Sequence, residues 1–279
     1  MIVSASRRTD IPALYSEWFI NRINEGYALV KNPFNRSQIR KVLFDEAECF
    51  VFFTKDPENM IDKLKIIDNK GYKYYFQFTL NPYDNIIEKG LREKSQIEDT
   101  FLNLSNVIGK EKVLWRYDPI IINDFISIEY HKHHFIRLLE KLKVNSVIIS
   151  FVDMYKKIKT SLIRNLTDDE IIELCEFFKL VSKEYGITIK TCCETIDHEK
   201  FNLKKSSCVD KELIERIIGK KNSIQKDRNQ RRECFCIQSV DIGAYNTCTN
   251  NCIYCYANYS MKSILKNVSN MDVKGEFLN

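Results

Sequence analysis

No stretch of this sequence approaches the roughly 20 consecutive apolar residues that a membrane-crossing helix needs. The opening residues, Met1 to Asp10, are too polar and too charged for a signal peptide. No internal repeat or low-complexity tract is present. Charge of one sign does not dominate either. The formal net charge of +5 is spread over most of the chain, which gives little support for a general nucleic-acid coat protein. These absences lead to the expectation of a cytoplasmic protein, in a compartment that keeps thiols reduced.

What is present is enough apolar residue for one large core: 44% of 279 residues. Short apolar runs rich in β-branched and aromatic residues alternate with segments of helical period. Strands are expected at Ile2–Ser6, Phe50–Thr54, Tyr74–Leu80, Val113–Tyr117, Val147–Phe151 and Thr188–Cys192. Amphipathic helices are expected near 12–26, 57–69, 96–108, 126–143 and 167–185, with a further one near 210–219. Thr167-Asp168-Asp169-Glu170 reads as a capping box, while Gly71 and Gly186 read as helix stops. This alternation predicts an α/β fold, a full or partial (β/α) barrel of the triosephosphate-isomerase type over residues 1–219. Residues 220–279 would then form a basic linker and a cysteine-rich segment packing on the barrel mouth.

In such a barrel the C-terminal strand ends share one face, where active sites are built. The predicted ends carry Ser6 to Asp10, Thr54-Lys55, Arg116-Tyr117-Asp118, Asp153 and Cys192-Cys193-Glu194. Arg7, Arg8, Lys55 and Arg116 are suited to carboxylate or phosphate groups, or else to salt bridges with neighbouring acids. Asp118 or Glu194 could serve as a general base. His131, His133 and His134 have no cysteine or carboxylate at ligand spacing and are expected on an exposed helix face.

Ten cysteines in a reducing compartment suggest metal ligands or reactive thiols rather than disulfides. Cys49 and Cys175 lie in apolar stretches and read as core residues; the other eight fall after position 190. Cys248, Cys252 and Cys255 have the spacing C-x3-C-x2-C, with aromatic Tyr254 before the last. Three thiolates so spaced can hold three irons of a 4Fe–4S cluster and leave the fourth open. Structural zinc, with Cys234 and Cys236 as further ligands, is the competing reading, although zinc favours paired knuckles or Cys/His mixtures.

The triad with its aromatic resembles that of the radical S-adenosylmethionine superfamily. A wider resemblance rests on Ser4 to Pro12, Asn32-Pro33-Phe34-Asn35, Phe53-Thr54-Lys55, Arg116-Tyr117-Asp118-Pro119 and Ser239 to Ala257. Together these look like the domain-of-unknown-function family 1848. The resemblance implies reductive cleavage of S-adenosylmethionine on an open iron, with an electron donor such as ferredoxin or flavodoxin and a substrate that the sequence does not name. It makes Arg7, Arg8, Thr54, Lys55 and Tyr254 candidates beside the cofactor, and Arg116, Asp118 and Glu194 candidates for chemistry. Two features depart from the wider superfamily: the triad lies near the C-terminus, and no Gly-Gly-Glu-type segment follows the second strand.

Cys192, Cys208, Cys234 and Cys236 could hold a second 4Fe–4S cluster, with Cys193 competing for the place of Cys192. Zinc and unligated thiols are the alternatives. Two other functional classes remain at this point. One is a non-catalytic iron–sulfur electron carrier or redox sensor. The other is a nucleic-acid repair protein resembling spore photoproduct lyase, which would use the basic stretch Lys220 to Arg232. That stretch also reads simply as a solvated linker.

Overall fold

The structure, a computed structural model, describes residues 1–158 and 160–278. The chain runs β1 (Ile2–Ala5), α1 (Ile11–Leu14), α2 (Ser16–Glu25), β2 (Tyr27–Lys31), β3 (Ile39–Leu43), β4 (Cys49–Thr54), α3 (Glu58–Ile61), α4 (Leu64–Asn69), β5 (Tyr74–Thr79) and α5 (Lys94–Ile108). It continues through β6 (Val113–Ile120), α6 (Ile128–Leu142), β7 (Ser146–Phe151), α7 (Asp168–Glu184), β8 (Thr188–Thr191), β9 (Lys204–Lys205), α8 (Lys211–Ile218), β10 (Val240–Asp241) and α9 (Met261–Ser269).

Eight strands form one sheet in the order β10-β1-β4-β5-β6-β7-β8-β9, and every ladder is parallel. Each strand from β4 to β9 pairs with the one before it in the sheet, which is how successive right-handed crossovers wind. A closed barrel is not formed: among the described residues no ladder joins β9 to β10. That seam carries one backbone bond, from Ile237 N–H to Val209 O at 3.2 Å. The late strand β10 lies beside β1, so residues after 219 complete the same sheet.

Alternation along the strands assigns two cores. Val3, Ala5, Phe50, Phe52, Tyr74, Phe76, Trp115 and Ile149 point to the helix-covered side. Ile2, Cys49, Val51 and Tyr75 point the other way, against Leu213 and Ile214 of α8 and the segment Cys234–Ile237. A one-residue slip would exchange these two sets. The inner residues include Cys49, which is fully buried, as is Cys175 in the other core.

The capping box forms as its sequence predicts: Thr167 accepts from Glu170 N–H, and the Glu170 carboxylate accepts from Thr167 N–H at 2.8 Å. The long helices expected near 12–26 and 57–69 are each broken in two. His131 departs from expectation. It is fully buried, with Tyr117 Oη 2.8 Å from Nδ1 and Ile121 O 2.8 Å from Nε2, because its face of α6 packs on β6 rather than on water.

Candidate cysteine-centred site

Two loops meet the triad from the strand ends. After β1, Asp10 turns its carboxylate inward and caps α1 through Ala13 N–H at 3.1 Å. Its other oxygen accepts from Lys55 N–H at 2.7 Å and from the Asn250 side-chain amide at 3.3 Å. One carboxylate thus ties the β1 loop, the β4 loop and the triad loop together. Burial pushes the Asp10 carboxyl up to about 6, although the bonds from Lys55, Thr54 and Ala13 oppose it. Thr54, besides facing Asp10, accepts from Asp56 N–H at 3.1 Å, so its hydroxyl shapes the turn after β4.

From the other side comes the loop after β5. Glu88, whose side chain is 1% exposed, accepts from Lys55 Nζ at 2.8 Å and also pairs with Lys94 and the Tyr254 hydroxyl. Burial alone would raise this carboxyl, but Lys55 and Lys94 outweigh it and hold it at about 2. Glu88 forms a bridge with Cys252, Ile253 N–H donates to Ile87 O at 3.0 Å, and Gly90 N–H donates to Asn250 O at 2.9 Å. A Cβ on Gly90 would lie 2.4 Å from Thr249 O, so only glycine admits the triad loop this closely. Glu88, Gly90 and Lys94 belong to the site although nothing in their local sequence marks them.

The three triad cysteines are half-buried on this loop. Ala257 N–H points at Cys255 Sγ across 3.4 Å, and Asn258 donates to Cys248 O at 2.9 Å while its own Oδ1 stays buried without a partner. Burial pushes all three thiols up, Cys252 to about 12. Among the described residues no three His, Cys, Asp or Glu side chains are grouped to hold a metal ion as they stand. The donor set nevertheless suits an iron–sulfur cluster: three thiols on one short loop, with amide N–H groups aimed at sulfur.

The remaining sequence-predicted residues divide between these loops and a second thiol group. Arg8 approaches Gly243 O at 3.3 Å and lies over the Tyr245 ring. Arg7 reaches Ser239 Oγ at 3.4 Å and lies over Phe53. Arg116 pairs with Asp118, and the Asp118 backbone is clamped by the Asn81 side chain. Glu194 accepts from Ser150 Oγ at 2.8 Å and Phe151 N–H at 3.0 Å; burial raises it to about 7 against those two bonds. Cys192, Cys193, Cys208, Cys234 and Cys236 all converge: Cys192 Sγ is 3.4 Å from Cys208 Sγ, and Arg116 Nη1 is 2.9 Å from Cys208 Sγ. Lys220 and Lys221 lie apart from the triad, lining a groove of about 1070 Å³ with Lys190, Lys204, Lys205 and Lys211. No helix among the described residues is long and apolar enough to cross a membrane.

Residues 2–257 match the family described as Domain of unknown function (DUF1848). The chain belongs to that family. No curated protein matches it. Among solved structures it is similar to a Bacteroides thetaiotaomicron protein described as "a putative alpha-L-fucosidase", at 11% identity and a TM-score of 0.27. That match covers 71% of this chain and 77% of the other. A likeness so slight carries no argument about activity, and the α/β assignment rests on the sheet itself.

Proposed function

We propose that this member of the DUF1848 family is an enzyme of the radical S-adenosylmethionine type. Cys248, Cys252 and Cys255 would hold a 4Fe–4S cluster with one iron left open. The observation that carries this reading is the seating of the C-x3-C-x2-C loop against the strand-end loops, through Asp10 on one side and Glu88 on the other. The three cysteines are half-buried there. A reduced cluster of this kind supplies the electron that cleaves S-adenosylmethionine, drawn from a donor such as ferredoxin or flavodoxin.

The protein's own part is positional and electrostatic. Glu88 holds both Tyr254 and Lys55 beside the triad loop, and Lys55 lies over the Tyr254 ring. Lys55 therefore acts through this buried ion pair, and its positive charge offsets the thiolate that a bound cluster requires. Tyr256 donates to Arg7 O at 2.6 Å, joining the end of the triad loop to the β1 loop. Arg7 and Arg8 supply the cationic edge of the mouth, where a carboxylate-bearing cofactor would be drawn. Glu194, raised to about 7, is the group best able to hold or move a proton near neutrality.

Anaerobically reconstituted protein incubated with S-adenosylmethionine and dithionite tests this reading. Formation of 5′-deoxyadenosine and methionine, absent in Cys252→Ala, is expected. A cluster-loaded chain that never cleaves S-adenosylmethionine would sink it.

A further inference from the structure

We propose that Cys192, Cys208, Cys234 and Cys236 form a second, thiolate-only soft-metal centre that closes the open seam of the sheet, with Cys193 left free beside it. The four come from three separate segments: the residue after β8, the stretch after β9, and the approach to β10. Two of the sulfurs are in contact, Cys192 with Cys208 at 3.4 Å, and Cys234 and Cys236 lie within electrostatic reach of Cys208. A Zn–S bond of about 2.3 Å places tetrahedral thiolates about 3.8 Å apart, close to the separation seen for the contacting pair. Side-chain rotation would still be needed to surround a metal, since no three ligating groups among the described residues are arranged for one as they stand.

Two further observations point to a negatively charged occupant. The Arg116 guanidinium lies 2.9 Å from Cys208 Sγ, and Arg7 is close enough to act on Cys208 and Cys236. Arg116 shares its guanidinium between Asp118 and Cys208 Sγ, so beyond its carboxylate it also offers charge to thiolates around a soft cation. Beside them Gln77 donates to Cys208 O at 2.9 Å while its own Oε1 is buried without a partner. The backbone also serves the sulfurs: Val209 N–H points at Cys236 Sγ across 3.4 Å, next to the backbone bond from Ile237 N–H to Val209 O.

Cys193 is the thiol left over. Its φ of 62° turns the chain sharply after Cys192, and it lines a cavity of about 290 Å³ with Glu194, His198, Lys205 and Arg232. Cys193 faces Cys234 and Arg231 and packs against the core that holds Cys49 and Tyr75, whereas Cys192 meets Cys208 at 3.4 Å.

The centre stands independently of the triad, so the test removes the triad first. Cys248→Ala/Cys252→Ala/Cys255→Ala protein, purified without oxygen, is assayed for iron, zinc and acid-labile sulfide. One centre per chain is expected to remain, unchanged by adding Cys193→Ala and lost on adding Cys208→Ala and Cys236→Ala. Iron with sulfide would make it a cluster, zinc without sulfide a single ion; both support a soft-metal centre. A folded triad variant with neither metal, or metal that survives loss of Cys208 and Cys236, overturns the proposal. Alkylation of the unsubstituted chain gives a second readout that needs no variant to fold. Cys193 should react while Cys192, Cys208, Cys234 and Cys236 are protected until a chelator is added, and equal labelling of all five would contradict it.

Discussion

The side-chain amide of Asn250, in the middle of the cysteine triad, donates to the buried carboxylate of Asp10 across 3.3 Å. Residues 240 positions apart are thereby joined at the carboxylate that also caps α1 and holds Lys55 N–H. Asp10→Ala should lower stability by on the order of 2–4 kcal/mol, combining a lost cap with lost charge-assisted bonds. Urea unfolding checks this, and an unchanged midpoint would show that the three loops are held by other means.

Glu88→Gln should be more damaging than its conservative shape suggests. It leaves Lys55 and Lys94, whose side chains are 15% and 19% exposed, without their shared counter-charge. Breaking such a buried group typically destabilises by roughly 3 kcal/mol. Thermal unfolding reads the effect, with the exposed pair Lys132–Glu129 as a control worth less than about 1 kcal/mol.

Gly90→Ala tests the close approach of the triad loop. The added methyl meets Thr249 O at 2.4 Å and Asn250 Cα at 2.9 Å, both backbone atoms that cannot rotate away. A loss of about 1–3 kcal/mol is expected, with reduced iron uptake by the triad. Normal stability and full uptake would mean that the loop does not depend on this contact.

His131 predicts a pH dependence. Burial holds its imidazole down at about 4, below the ordinary 6.5, although the bond to Ile121 O opposes this. The folded state therefore keeps His131 neutral while the unfolded chain takes up a proton. Its contribution is complete above pH 6.5 and is lost as pH falls toward 4, amounting to roughly 3 kcal/mol. Unfolding free energies measured from pH 7 to pH 4 should fall less steeply in His131→Gln, and parallel curves would contradict the assignment.

Six of the eight parallel strands and most helices were readable in the sequence because β-branched and aromatic runs between capped amphipathic segments reflect local chemistry, whereas β9 and β10 are only two residues each. The hairpin of β2 and β3 was not: its outer strand is nearly all exposed, so it lacks an apolar stripe. Asn32-Pro33-Phe34-Asn35, quoted for its family resemblance, lies at the exposed turn of that hairpin, where Phe34 is 96% exposed. The break between α1 and α2 falls at Tyr15, whose hydroxyl donates to Thr247 O, a partner that no local window contains. Glu88 was invisible for the same reason: it is defined by Tyr254, 166 residues away. The cysteine spacing singles out the loop from Cys248 to Cys255 in the sequence, but only the fold brings Arg116 against Cys208 rather than leaving it open at the mouth.

The central claim is that the triad holds a cluster with one open iron, and electron paramagnetic resonance tests it most directly. Spectra of the dithionite-reduced protein would be recorded anaerobically before and after adding S-adenosylmethionine. The account predicts a 4Fe–4S signal that shifts on addition and a Cys252→Ala protein in which the shift is gone. A signal that S-adenosylmethionine leaves unchanged, or zinc in place of iron at the triad, would contradict it.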